Sequence, residues 1–304
     1  MKQLYWILLV LLVFFVGDRL GGWVLKKLTT DSQFRYSRLY SQRAASDILL
    51  VGNSRGLIFY QPYIEERTGK KTFNISYNGM PINLARVLIE DYLEQYEAPE
   101  LLLLDVSMCD RMNNQLISGF SPYSPYSDRL RQLIVDSIPE VGYGSQLSHL
   151  FRYNSEVFQR ALYYRNRSDE DWLLDRQIND FMIQNVDKEA ALDFDLEPAL
   201  MEALLRDLKA IVDLAQRKNI DLELMVNPYY PPFAKRFLKF GDWLRKIEAT
   251  TGLKVRDYSL AIRATEAFGD YQHLNKVGGK QFIDRMIEDG VFESAKTGAI
   301  GINR

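Results

Sequence analysis

The stretch ELLLLDVS at residues 100–107 constrains the fold of this chain more than any other feature. It is apolar on both faces, as is typical of a central strand in a parallel sheet that helices cover on both sides. Shorter apolar runs predict further strands at 47–51, 71–76, 220–226 and 254–258. Helical patterns separate the runs, so the chain is predicted to fold as successive βαβ units around a parallel sheet.

The segments between these runs repeat their apolar residues with the period of a helix. Helices are predicted at 56–69, 81–97, 197–219, 233–252 and 276–289. The alternation stops after the third strand, where a stretch rich in Ser, Pro and Tyr precedes short helical patterns. We therefore predict an α/β fold with one three-layer domain at 47–292, a helical insertion at about 110–195 and a C-terminal tail at 293–304.

The N-terminus contains a continuous apolar run, Leu4–Gly17, which resumes as LGGWVL after Asp18 and Arg19. A bilayer core of ~30 Å requires about 20 residues of helix, so the combined segment is long enough to span a membrane. The two charged residues then lie near the interface, where their side chains can snorkel. We predict an uncleaved, single-pass signal anchor at 1–28 and a linker at 29–46; a cleaved signal peptide and a buried core helix are the alternatives.

The composition excludes several functional classes. A formal net charge of -2 and a pI of 5.9 provide no basic surface of the kind that binds nucleic acid. The single cysteine, Cys109, excludes an internal disulfide framework. Two histidines, His149 and His273, are too few for a multi-histidine metal site. We expect neither a metal nor a cofactor, and any histidine-dependent chemistry has only two candidates.

Polar residues stand where the first and last predicted strands end. In parallel sheets the loops after the carboxyl ends of the strands meet at one edge, and sites form there. Ser54 follows the first strand, and Asp270 and His273 follow the last. A serine hydroxyl needs an adjacent base to act as a nucleophile, and the imidazole needs an acceptor that holds its tautomer. These three residues meet that requirement; alternatively, the serine is a turn residue and the histidine a surface or core residue.

The order of these residues resembles that of the SGNH/GDSL hydrolase superfamily. The VGNSRG stretch around Ser54 corresponds to its Gly-Asp-Ser block, NISYNGMP at 74–81 to its second block, and DYQHLN at 270–275 to its terminal Asp-x-x-His block. The resemblance implies the flavodoxin-like fold of that superfamily and a Ser-His-Asp triad. Ser54 would be the nucleophile, His273 the base and Asp270 the residue that orients the base.

The resemblance also implies an oxyanion hole formed by the backbone N–H groups of Gly79 and Ser54. The chain departs from the superfamily in two blocks: Asn53 replaces the usual aspartate, and the third block, normally Gly-x-Asn-Asp, reads DVSMCD. The oxyanion-hole asparagine of the third block is therefore missing. Asn78, in the second block, either replaces it as a side-chain donor or is a turn residue in the left-handed region.

Within that superfamily, an N-terminal anchor, a GNSR-like first block and a large insertion resemble the bacterial cell-envelope group, which includes the teichoic-acid D-alanyl transfer protein and the alginate O-acetylation proteins. This implies a serine acyltransferase or acylesterase that acts on O-acyl groups of an envelope polysaccharide, with a polytopic membrane-bound O-acyltransferase as a partner. Candidate substrate contacts are Asn53, Arg55, Tyr229 and Tyr230, for which packing and ion pairing are the alternatives.

Two observations favour other hypotheses. The missing third-block asparagine favours a catalytically degenerate domain that acts as a binding or assembly subunit of a polysaccharide-modification complex. Basic residues are concentrated after the apolar segment, at Lys26, Lys27, Arg35, Arg38 and Arg43, against Lys2 before it. By the positive-inside rule this places the main domain in the cytoplasm, as expected of a tethered lipase or esterase. The envelope chemistry implies an extracytoplasmic, periplasmic domain, and both orientations stay open.

Overall fold

The computed structural model of the protein describes residues 2–167 and 172–293. The predicted tail at 293–304 lies outside the described residues from 294 onward. The described chain divides into two compact units. The first comprises Met1–Ala44 and Asn113–Asp169, and the second comprises Ala45–Met112 and Glu170–Arg304, in each case for the described residues.

The second unit contains a five-stranded, all-parallel sheet, which confirms the predicted α/β class. Its strands are β1 (Ile48–Val51), β2 (Thr72–Asn74), β3 (Leu101–Asp105), β4 (Asp221–Val226) and β5 (Val255–Asp257). Their order across the sheet is β2-β1-β3-β4-β5. All five residues of β3 are buried, and the strand pairs with β1 on one side and β4 on the other, as its composition predicted.

Helices of both units follow the apolar periodicity of the sequence. In chain order they are α1 (Lys2–Thr30), α2 (Arg35–Leu39), α3 (Gln61–Thr68), α4 (Ile82–Gln95), α5 (Asn114–Gly119), α6 (Asp128–Ser137), α7 (Pro139–Leu147), α8 (Glu156–Tyr163), α9 (Asp180–Asn185), α10 (Pro198–Arg217), α11 (Pro231–Ala234), α12 (Phe240–Thr251) and α13 (Lys276–Glu288). The predicted helix at 233–252 was too long, because the backbone around Leu238 is extended. Its N–H donates to the carbonyl of Leu192 and its own carbonyl accepts from Phe194.

The first unit combines α1 and α2 with α5 to α8. The stretch predicted as a linker, 29–46, contains α2, whose residues are largely buried. Phe34 stacks on Tyr164, and Tyr36 packs edge-on against Phe120, so this stretch belongs to the aromatic core of the unit. Those contacts explain why it joins part of the segment that was predicted as an insertion of the α/β domain.

The helix α1 is long and apolar enough to span a membrane, with a mean hydropathy of 2.0 over its most apolar window. Most of that window is exposed, and the exposed side chains are chiefly leucine, valine, phenylalanine and tryptophan. This is consistent with the predicted single-pass anchor.

Candidate active site

Ser54 is the first residue of a 3-10 helix, Ser54–Ile58, and two residues separate it from the end of β1. The strand stops there because the side chain of Asn53 accepts a hydrogen bond from the backbone N–H of Arg55 at 3.1 Å and caps the helix. The backbone N–H of Ser54 donates no hydrogen bond among the described residues. The turn therefore leaves both the Ser54 hydroxyl and its amide available for chemistry.

Two glycines allow this turn to pack tightly. A Cβ on Gly52 would lie 2.9 Å from the Cα of Gly56, and a Cβ on Gly56 would overlap the Ser76 hydroxyl. Residues larger than glycine at either position would displace the turn from the strands below it. The glycines of VGNSRG are thus required by packing of the turn that carries Ser54.

Asp270 and His273 lie in a tight turn. Phe268 and Leu274 form an antiparallel bridge across the turn, and the N–H of Gly269 donates to the carbonyl of His273. Asn275, the last residue of DYQHLN, accepts hydrogen bonds from the first N–H groups of α13 and so fixes the turn to that helix.

The structure brings Ser54, His273 and Asp270 into one hydrogen-bonded chain. The distance from Ser54 Oγ to His273 Nε2 is 2.8 Å, and the distance from His273 Nδ1 to Asp270 Oδ1 is also 2.8 Å. Because the carboxylate can only accept, Nδ1 carries the imidazole proton and Nε2 accepts from the serine hydroxyl. This is the arrangement that a serine nucleophile requires.

The charge of Asp270 is secured by its neighbours. Burial raises the pKa of this carboxyl, but the hydrogen bond and charge of His273, the N–H of Gln272 and the guanidinium of Arg176 lower its pKa to about 2. Arg176 Nη2 donates to Asp270 Oδ2 at 3.0 Å. The carboxylate is therefore ionised at neutral pH and holds the imidazole in one tautomer. Arg176 was not predicted from the sequence, since no motif connects it with the terminal block.

A cavity of about 230 Å³ opens onto the three residues. Its wall is mainly apolar and is completed by a stretch that the sequence predicted as helical but that is irregular from 172 to 179. The lining residues are Ser54, Leu57, Ile58, Asn78, Trp172, Leu173, Leu174, Arg176, Asp270, His273 and Leu274. Trp172 packs edge-on against Tyr77, with ring centroids 5.4 Å apart. Only a structure reveals this wall, because nearly a hundred residues separate Trp172 from Asp270 along the chain.

The two expected oxyanion donors of the second block share one turn. Gly79 has a φ of +67° and the N–H of Met80 donates to the carbonyl of Tyr77, so the left-handed residue of the turn is the glycine and not Asn78. Asn78 is exposed, lines the cavity and has no side-chain hydrogen bond to another described residue. Gly79 follows it in the chain but does not line the cavity. Of the two expected donors in the second block, Asn78 is therefore the one that lines the same cavity as Ser54.

The turn after β3 lies within a buried polar network. Asp105 is inaccessible to solvent, accepts from Asn227 Nδ2 at 3.1 Å and lies 4.0 Å from the Nε of Arg55. Burial raises the pKa of Asp105, while the Arg55 charge acts in the opposite direction. Ser107 receives a hydrogen bond from Arg55 at 3.2 Å. The DVSMCD turn therefore belongs to this buried network and contributes no side chain to the cavity wall.

The structure does not bring the four candidate substrate contacts to the cavity. They are 5% exposed or less: Asn53, Arg55, Tyr229 and Tyr230. The guanidinium of Arg55 lies over the ring of Tyr229, 4.5 Å from its centroid, while Asn53 donates to Ser107. Packing and ion pairing therefore account for these buried side chains, including those of the two residues that flank Ser54 in the sequence.

A larger groove of about 840 Å³ runs along α10 and α12 and includes Met201, Leu205 and Lys246. None of the three hydrogen-bonded residues lines it, so its size does not make it the reactive site. No protein-family model and no curated protein matches the chain. The geometry around Ser54 is therefore the principal basis for a functional hypothesis.

Proposed function

We propose that the protein is a serine acyl-transfer enzyme that uses Ser54 as nucleophile, His273 as base and Asp270 to orient the base. The observation that carries the proposal is the unbroken hydrogen-bonded chain from the Ser54 hydroxyl to the Asp270 carboxylate, with two distances of 2.8 Å. The three residues lie beside a cavity, and the Ser54 amide and Asn78 stand ready to stabilise an oxyanion.

We further propose that the chain is an SGNH-type protein. The strand order β2-β1-β3-β4-β5 is that of flavodoxin-like doubly wound folds, which bind ligands outside the carboxyl ends of the strands. Ser54 follows β1 and the Asp270–His273 turn follows β5, as that rule requires. The VGNSRG and DYQH motifs supply the resemblance that favours this superfamily over others of the same topology.

The reaction proceeds through an acyl group on Ser54. As Oγ attacks the ester carbonyl, Nε2 of His273 takes the hydroxyl proton, and the tetrahedral oxyanion lies against the Ser54 N–H and the Asn78 amide. Cleavage of the C–O bond releases the alkoxide, which takes the proton from His273. Water or a second hydroxyl then attacks the acyl-enzyme and returns its proton through His273 to Ser54. The small apolar cavity favours a short acyl group.

If α1 anchors the chain in a membrane, the substrates are molecules at the membrane surface. We propose O-acyl groups of a bacterial cell-envelope or extracellular polysaccharide, handled by an extracytoplasmic domain beside a polytopic membrane-bound O-acyltransferase. This part rests on the resemblance to the envelope branch and on α1, which is consistent with single-pass anchoring. Both transfer to a sugar hydroxyl and hydrolysis fit the same acyl-enzyme.

A second candidate function is a binding or assembly subunit without catalysis. The observation that favours it is the DVSMCD turn, which is buried and offers no asparagine to an oxyanion. An intact Ser-His-Asp chain serves no purpose in such a subunit, and for that reason we place this candidate second.

The test is covalent labelling of the full chain with a fluorophosphonate that reacts with activated serines. Wild-type protein and the control Ser137→Ala, at the end of α6, should label at the same rate. Ser54→Ala should lose labelling completely, because the probe then has no activated hydroxyl to attack. Full labelling of Ser54→Ala would refute the assignment, and absence of labelling in the wild type would favour the non-catalytic candidate.

A further inference from the structure

The helix α1 contacts a second apolar segment of the same unit, 141–151, which contains all but the first two residues of α7 and the turn after it. The carboxylate of Asp18 accepts hydrogen bonds from the Ser148 hydroxyl at 2.6 Å and from the N–H groups of His149 and Leu150 at 2.9 and 3.0 Å. These contacts satisfy a charge that interrupts an otherwise apolar helix. The two segments are thus fixed to each other at the level of Asp18.

Neighbouring residues of α1 reinforce this contact. The guanidinium of Arg19 donates to the carbonyl of Leu147 at 3.1 Å. A Cβ on Gly21 would lie 2.8 Å from the side chain of Leu150, and a Cβ on Gly22 would overlap His149. Close approach of backbones through small residues is the usual way in which helices pack in membranes.

The length of α1 decides how deep this contact lies. At ~1.5 Å per residue, the exposed apolar stretch before Asp18, from Leu4 to Val16, spans only about 18 Å. A bilayer core is ~30 Å thick. The exposed apolar stretch continues past the contact through Leu20 and Trp23 to Val24, which brings its length to about 30 Å. Only the length of the longer stretch matches the thickness of the hydrocarbon core, so we place the edge of that core near Val24.

Aromatic and basic residues place the same boundary. Tyr5 and Trp6 are exposed at one end of the stretch and Trp23 at the other, as in the aromatic belts at both interfaces of a bilayer. Lys26 and Lys27 follow directly. Asp18 lies about 9 Å from Val24 along the helix axis, on the membrane side of this boundary, which is within the ~5–10 Å that apolar side chains of interfacial segments penetrate.

The exposed surface of the 141–151 segment has the chemistry of that layer. Its sequence, VGYGSQLSHLF, contains no Asp, Glu, Lys or Arg, although 26% of the chain is charged. Four large apolar side chains are exposed there: Tyr143, Leu147, Leu150 and Phe151. Leu147 is 80% exposed, the largest value among the exposed large apolar side chains. In water this surface would be unfavourable, whereas in the interface each buried side chain is stabilising.

We propose that the 141–151 segment is a second membrane contact, which inserts Leu147 and its apolar neighbours into the interface of the lipid bilayer beside α1. The occupant of this surface is lipid, because the segment is continuous with the exposed apolar face of the anchor and is hydrogen-bonded to it at the same depth. The proposal does not depend on the proposed function, since it concerns only the first unit.

The test places a single fluorophore at known positions of the full chain in vesicles of phosphatidylcholine and phosphatidylglycerol. Cys109 is fully buried, so an introduced cysteine is the thiol that a polarity-sensitive label modifies. Leu147→Cys reports on the segment. Leu162→Cys is the matched control, because Leu162 is also exposed but lies near the C-terminal end of α1, beyond the proposed membrane boundary. The carbonyl of the adjacent Ala161 accepts a hydrogen bond from Ser32 there.

The label at position 147 should be quenched several-fold more strongly by spin-labelled lipid than the label at 162, and it should be protected from aqueous iodide. Tyr143→Cys should repeat this pattern, and unchanged far-UV circular dichroism confirms folding of each variant. Iodide quenching at 147 equal to that at 162 would overturn the proposal, and so would protection from both quenchers, which indicates a covering protein such as a second copy.

Discussion

At the scale of single residues, the proposed activity depends most on the hydrogen bond between Asp270 and His273. Replacing Asp270 by asparagine keeps the shape of the side chain but allows the amide to donate, so the imidazole can adopt the wrong tautomer. We expect Asp270→Asn to lower the rate of fluorophosphonate labelling by about 10³–10⁴-fold. Because the pKa of Asp270 is about 2, its own protonation should not alter the wild-type rate above pH ~4.

Asp284→Asn provides the matched control, since Asp284 is also a hydrogen-bonded carboxylate of the second unit. It accepts from the Tyr63 hydroxyl at 2.9 Å and pairs with Arg67, away from the cavity. Its labelling rate should equal that of the wild type. A rate for Asp270→Asn within tenfold of the wild type would contradict the role assigned to this carboxylate.

The order and spacing of Ser54, Asp270 and His273 predicted a hydrogen-bonded chain, and the structure has that chain, while their roles in catalysis stay a prediction. The remaining wall of the cavity was not predictable in this way. Arg176 meets Asp270 only through folding of an irregular segment that carries no motif. Arg55 was expected at the substrate because it follows the nucleophile, but spacing does not define which way a side chain points.

At the scale of secondary structure, the 3-10 turn after β1 is the element that positions Ser54. Gly56→Ala introduces a Cβ that overlaps the Ser76 hydroxyl and lies 3.0 Å from its Cβ. Overpacking of this kind costs typically about 1–3 kcal/mol. We expect a lower free energy of unfolding, measured by urea denaturation in detergent, together with slower labelling of Ser54 because the turn shifts.

Gly241→Ala is the control for this substitution. Gly241 lies in the first turn of α12, where a Cβ would meet only the end of the Arg245 side chain at 3.6 Å. Alanine in a helix is favoured over glycine by up to about 1 kcal/mol, so this variant should be as stable as the wild type or more so. Equal stability of the Gly56 and Gly241 variants would show that the turn is not closely packed.

The strands were predictable because a buried strand of a parallel sheet needs an apolar run, and each run in this sequence is bounded by polar or turn residues. The ends of the helices were less predictable than the strands. Around Leu238 the sequence keeps a helical pattern, but backbone hydrogen bonds to 192–194 hold it extended. Such pairing between distant segments overrides local preference, and a single sequence carries no signal for it.

At the scale of the whole molecule, the described residues form two compact units, whereas the sequence predicted an anchor, a linker and one domain with a helical insertion. The described residues of the first 44 positions share a compact unit with a segment that begins at Asn113. The contact between Asp18 and Ser148 joins residues 130 positions apart. From the sequence alone, Asp18 and Arg19 were interpreted as residues whose charged side chains snorkel to the membrane interface. In the structure they bind the 141–151 segment.

Asp18→Leu removes the acceptor of the His149 and Leu150 amides while keeping α1 apolar and long enough to cross a membrane. A hydrogen bond to a charged group contributes about 1.5–3 kcal/mol, which corresponds to roughly 10–100-fold in an exchange equilibrium. In lipid vesicles, the amides of 148–151 should therefore exchange with deuterium about 10–100-fold faster than in the wild type. Asp31→Asn, at an exposed carboxylate just past the end of α1, should leave this exchange unchanged. Unaltered exchange in Asp18→Leu would mean that α1 and the 141–151 segment are held together without the hydrogen bonds to Asp18.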